Sequence, residues 1–93
     1  MQNKVTEIQI IPVKPKDGLV AFASFIFDNS FYFSSIGIYT RPQGGYRLTY
    51  PTRKTQSSGI YLFHPINKET YQQIEMIVVE KYEEIMAGSL GEE

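Results

Sequence analysis

Leu19-Val20-Ala21-Phe22-Ala23-Ser24-Phe25-Ile26-Phe27, then Asp28-Asn29-Ser30, then Phe31-Tyr32-Phe33-Ser34-Ser35-Ile36-Gly37-Ile38-Tyr39 is the stretch that decides the fold. Two runs rich in aromatic and β-branched residues flank three turn-forming residues, which is the pattern of a β-hairpin. Strand alternation puts Leu19, Ala21, Ala23, Phe25 and Phe27 on one face of the first run, with Val20, Phe22, Ser24 and Ile26 on the other. In the second run Phe31 and Phe33 are expected on one side, and Tyr32, Ile36 and Ile38 on the other. An antiparallel sheet with one wet face alternates apolar with polar residues. These strands are apolar on both sides. One helix covers one face, so the other face calls for a second copy of the chain, closed two-fold dimers being the commonest assembly, or else for a strongly curled sheet that buries both faces within one chain.

Upstream, residues 5–13 alternate weakly and read as a first strand. Lys14-Pro15-Lys16-Asp17-Gly18 forms the turn that follows: proline presets φ, and glycine takes a conformation that a Cβ obstructs. Downstream, Arg41-Pro42-Gln43-Gly44-Gly45 makes another turn. Residues 46–50 form a fourth strand ended by Pro51, which has no amide hydrogen to donate to a ladder. Residues 53–59 read as a polar loop and 59–63 as a short apolar strand. Then the period changes. Tyr71, Ile74, Ile77, Val78, Tyr82 and Ile85 recur every three or four residues, the signature of one helix face. Asn67 is placed to cap that helix, Glu69 faces its positive end, and Gly88 is expected to stop it. Lys68, Gln72, Gln73, Glu75, Val79, Glu80, Glu83 and Glu84 are expected on its outer side. The whole is α+β: a small, mostly antiparallel sheet of four to five strands followed by one C-terminal amphipathic helix. Residues 1–93 form a single domain, with 88–93 expected as a flexible tail.

Ninety-three residues bury only about 60–65% of the surface of the unfolded chain, so the stability margin is thin. With no cysteine, disulfides, thiolate metal sites and cysteine nucleophiles are excluded. No apolar leader and no spanning stretch of about 18 apolar residues is expected, and the reading is a cytoplasmic protein with no membrane partner.

Charge is unevenly distributed. Residues 1–28 carry three lysines against Glu7, Asp17 and Asp28. Residues 29–68 carry Arg41, Arg47, Arg53, Lys54 and Lys68 and no carboxylate. Residues 69–93 carry seven glutamates against Lys81. The segments are therefore 0, +5 and −6 in a chain of net charge −1. Polyanions respond to such local potential rather than to the net value.

Catalysis finds little support. His64 is the one histidine and precedes a proline, and both aspartates sit in turns. No serine lies in a nucleophile motif, no metal-ligand spacing exists, and Gly44-Gly45 lacks the helix start that a phosphate loop needs. No catalytic residue, cofactor or metal is expected, and no small-molecule substrate. The basic stretch offers more. Arginine presents a planar fork to phosphate and lysine a mobile point charge, while Thr52 and Thr55 add hydroxyls. Tyr46, Tyr50 and Tyr61 are candidates for stacking on unpaired bases, or alternatively half-buried sheet residues. Helix N-termini attract anions, whereas Glu83 and Glu84 repel them, so contacts are expected from the first half of the helix and the loop at Arg53-Lys54.

Thr6-Glu7-Ile8-x-Ile10, Ala21-Phe22-Ala23-Ser24 with Asp28-Asn29, Pro51-Thr52-Arg53-Lys54-Thr55, His64-Pro65-Ile66-Asn67, Tyr71-x-x-Ile74 and Glu80-Lys81-Tyr82 follow one another in an order and spacing that resembles the stage V sporulation protein G family (SpoVG, the bacterial septation regulators). The likeness runs from about residue 5 to residue 86. It implies a homodimer of antiparallel sheet plus C-terminal helix. It also implies binding to DNA, and to RNA in some members, with a regulatory role in septation, cell division and sporulation-related or other gene expression. The nucleic-acid-binding role carries over onto Arg53, Lys54, Lys68, Gln72 and Gln73, and the charge reading adds Arg47 and Thr55. Tyr50 stands where the family usually has methionine, and Ile60-Tyr61-Leu62-Phe63 is more apolar than the charged family segment. A second reading is a protein-interaction module that uses the apolar sheet and the acidic helix end without binding nucleic acid.

Overall fold

The computed structural model describes residues 4–91. Residues 1–3, and 92–93 of the expected tail, lie outside the described residues. Strand β1 (Val5–Lys16) pairs antiparallel with β2 (Leu19–Phe27), β2 with β3 (Phe31–Thr40), and β3 with β4 (Tyr46–Thr49), giving a meander in the order β1-β2-β3-β4. A separate two-stranded ribbon joins β5 (Thr52–Lys54) to β6 (Gly59–Tyr61), and helix α1 (Lys68–Gly91) closes the chain.

The turns follow their residues. Lys16 pairs with Leu19, and the two residues between them, Asp17 and Gly18, both have positive φ (54° and 91°), as a tight hairpin turn with the twist of its strands requires. The first strand thus extends through Lys16, beyond the expected end at Val13. Asp28 and Asn29 take φ 55° each in the β2–β3 turn, a conformation these short polar side chains tolerate. Asn67 caps α1 as expected: its Oδ1 accepts from Thr70 N at 2.7 Å, and its carbonyl accepts from Tyr71 N at 3.1 Å. Gly88 does not stop the helix, which continues to Gly91. Glycine permits a left-handed terminus but does not compel one.

Three irregularities correct the simple alternation. Two residues of β1, Glu7 and Ile8, stand opposite Phe25 alone, with Glu7 at φ 52°. That bulge lets Val5, Ile8 and Ile10 all turn toward the core. Across β2 and β3, Ala23 pairs with Ile36 and Phe25 with Phe33, so Ser34 and Ser35 oppose Ser24 alone, and Ser35 has φ 63°. The expected division of β3 therefore fails: Phe33, Ile36 and Ile38 share one face, together with Ala21, Ala23 and Phe25. Leu19 pairs with Tyr39 and Ala21 with Ile38, a slip at Val20 that moves Leu19 onto the opposite face.

The core lies between the sheet and α1. Phe25, Ile36, Ile38 and Val78 are fully buried, with Ile74 and Tyr82 completing an i, i+4, i+8 stripe on the helix. Val79, expected outward, packs partly against this core, and Glu75 is half-buried. The face away from α1 leaves Ile11, Phe22 and Tyr32 exposed. No helix among the described residues is long and apolar enough to cross a membrane.

Candidate nucleic-acid interface

At the start of the segment expected as a polar loop, Thr52–Lys54 instead forms a strand, which pairs with the short strand expected from Gly59 to make a β-ribbon. Thr52 pairs with Tyr61, Arg53 with Ile60 and Lys54 with Gly59, and every residue from 52 to 62 is exposed. Arg53, Lys54 and Gly59 have low strand propensity, but Thr52, Ile60 and Tyr61 favour strands, and the turn holds the two segments together. Thr55 N donates to Ser58 O at 2.7 Å, Ser58 N donates to Thr55 Oγ1 at 3.1 Å, and the Thr55 hydroxyl donates to Ser58 O. At the base, Leu62 N donates to Pro51 O at 2.9 Å. The Thr55 hydroxyl is thus engaged in closing the ribbon.

Cross-strand partners share a face, and successive residues alternate. One side of the ribbon therefore carries Arg53 beside Ile60, and the other carries Thr52 and Lys54 beside Tyr61 and Gly59. The Tyr61 ring lies 4.7 Å from that of His64, whose Nδ1 is 2.9 Å from Pro65 O. His64 serves this corner of the chain.

The remaining candidates divide into two groups. Lys68 and Gln72 are exposed at the start of α1, and Gln73 beside them is half-buried. Arg47 stands elsewhere. It pairs with Tyr39 on the sheet face opposite α1, with its guanidinium carbon 5.1 Å from the centre of that ring, a cation–π contact. Arg41, one of the five cations in the acid-free stretch, is neutralised by Glu75 at 3.2 Å. Of the three tyrosines considered for stacking, Tyr50 is buried and Tyr46 packs edge-on against Tyr82 at 5.1 Å, so Tyr61 alone is exposed. Among the described residues, no group of three His, Cys, Asp or Glu is placed to hold a metal ion.

Comparison with known proteins finds relatives of this chain. The family model SpoVG matches residues 3–84. Proteins bearing the septation-protein name SpoVG are similar along nearly their whole length. That of Acetivibrio thermocellus is 32% identical over 87 residues, 92% of each chain. That of Caldicellulosiruptor bescii is 33% identical over 86 residues, 91% of this chain and 97% of the relative. That of Onion yellows phytoplasma is 32% identical over 91 residues, 97% of this chain and 91% of the relative. On the extent of the family match and the full-length likeness to these relatives, the chain belongs to the SpoVG family.

Proposed function

We propose that the chain is a cytoplasmic, non-catalytic regulator that binds nucleic acid as a homodimer, in septation or in gene expression linked to it. The observation that carries this reading is the exposed β5–β6 ribbon with Arg53 and Lys54 on its two sides, inside a stretch without carboxylates. A two-stranded ribbon fits the major groove of duplex DNA. An isolated hairpin is marginally stable in water, so a ligand that grips both strands orders it. Lys68 and Gln72 at the start of α1 extend the contact, while Glu80, Glu83 and Glu84 keep the far half of the helix away from a polyanion. The dimer is supported by the exposed Ile11, Phe22 and Tyr32 on the open sheet face, each of which forgoes part of the roughly 1.5–3 kcal/mol that complete burial of a large apolar side chain brings. The name of the relatives supports septation as the setting.

Retardation of duplex DNA, single-stranded DNA and RNA across a salt series tests the binding. With about six phosphates neutralised by the dimer, log K falls with log salt at a slope of roughly −5. Changing Arg53 and Lys54 together to Ala flattens that slope, and an unchanged slope removes the ribbon from the interface. Light scattering on the eluting protein reads the dimer directly.

A further inference from the structure

A cavity of about 460 Å³ opens between the start of α1 and the β2–β3 hairpin, within the range of roughly 300–1,000 Å³ typical of small-ligand sites. Phe25, Tyr50 and Ile74 form its buried floor. One wall is a ladder of three rings. Phe31 and Phe33 lie 6.0 Å apart with planes within 6° of each other, and Phe33 and Phe63 lie 4.7 Å apart at 22°. Phe31 ends this ladder with 57% of its surface exposed. The polar rim consists of Lys4, His64, Asn67 and Thr70, with no carboxylate among the lining residues. Because Asn67 Oδ1 is taken by Thr70 N, the Asn67 amide offers the rim its N–H donors.

A set of nearly parallel rings suits a planar aromatic guest, and a rim of donors with a cation suits a guest that brings acceptors and negative charge. A nucleotide has both properties. An apolar side chain from another polypeptide would fill the floor and make no use of the exposed Lys4 and Asn67 donors at the rim. The cavity also adjoins the ribbon through the chain itself, since β6 runs through Leu62 into Phe63 of the wall and His64 of the rim. We propose that this cavity receives one unpaired base of a single-stranded nucleic acid, stacked on Phe31, with Lys4 facing the adjoining phosphate. The proposal rests on the nucleic-acid reading above and adds to the ribbon a separate site for an unpaired base.

The test uses a single-stranded oligonucleotide carrying one 2-aminopurine, whose fluorescence is quenched on stacking, and the full-length protein with Phe31→Ala and Phe31→Tyr. Phe31 is exposed, so neither change removes a core side chain. The wild type and Phe31→Tyr quench the probe. Phe31→Ala loses the quench and about tenfold in affinity for the single strand, the scale of one base–aromatic stack. Its salt slope is unchanged, because no cation is lost. Wild-type affinity and quenching in Phe31→Ala, with binding still salt-dependent, would overturn the cavity proposal and leave the ribbon reading standing. Absence of any nucleic-acid binding by the wild type at low salt overturns both.

Discussion

Arg41 Nη2 lies 3.2 Å from Glu75 Oε1, tying the β3–β4 turn to the second turn of α1 across 34 residues of chain. The same arginine donates from Nε to Tyr46 O at 3.0 Å. Glu75 is half-buried, and its second oxygen is buried with no hydrogen-bond partner. Removing Arg41 therefore leaves a carboxylate out of water without its counter-charge. Both side chains keep some solvent contact, which screens the pair well below a fully buried one. Arg41→Ala is expected to cost about 1–2 kcal/mol, the sum of a partly screened ion pair and one lost hydrogen bond. In Arg41→Ala, Glu75→Gln should then recover part of that loss, which chemical denaturation of the two variants measures. Arg41 is also withdrawn from the basic surface by this contact, so its loss should leave the salt slope of nucleic-acid binding unchanged.

Gly37 makes room for the side chains around Arg47. A Cβ at Gly37 would meet Thr49 Oγ1 at 2.7 Å, Tyr39 Cε1 at 2.9 Å and Leu19 Cδ1 at 3.3 Å. The Tyr39 ring thus lies across the bare backbone of Gly37 and carries the Arg47 guanidinium above it. Gly37→Ala is expected to destabilise the fold by about 1–3 kcal/mol, as overpacking does. It should also displace Tyr39. A shift of the Tyr39 ring resonances in the NMR spectrum reads the second effect separately from stability.

Much of this arrangement was legible in the residues because short-range chemistry enforces it. Asp17-Gly18, Asp28-Asn29 and Asn67 act on their own neighbours, and each turn or cap stands where its side chain places it. The bulge at Ser34-Ser35 was not legible, because serine is neutral to both faces and a slip of one residue leaves no mark on composition. That slip decides the site. It turns Phe33 onto the same face as Ile36 and so builds the wall of the aromatic cavity. Of the ribbon, β6 was legible as a short apolar strand but β5 was not, because Thr52-Arg53-Lys54 has no apolar alternation, its pairing being held by the turn at Thr55 and Ser58. The pairing of Arg41 with Glu75 depends on a helix crossing the sheet, which no local window contains.

Tyr50 carries the last prediction. Its hydroxyl is buried without a hydrogen-bond partner, which costs about 1–3 kcal/mol relative to a satisfied or absent group. Burial, with Tyr71 and Glu75 nearby, pushes the phenol well above its ordinary range. The unfolded chain releases this proton near pH 10, roughly the ordinary tyrosine value, while the folded protein retains it. A raised pKa in the folded state gives a contribution that is complete below about pH 10 and falls away as pH rises beyond it, because only the unfolded chain gains from ionising. Tyr50→Phe keeps the ring and its edge contact with Phe63 at 6.2 Å but removes both liabilities. It should be about 1 kcal/mol more stable than the wild type at pH 7, and its advantage should widen above about pH 10. Tyr82, whose pKa is also raised by burial, remains in both proteins and cancels from the difference. Urea unfolding at pH 7 and at several alkaline values measures the gap. A gap that stays constant with pH would show that the Tyr50 proton is held no more tightly in the fold than in the open chain.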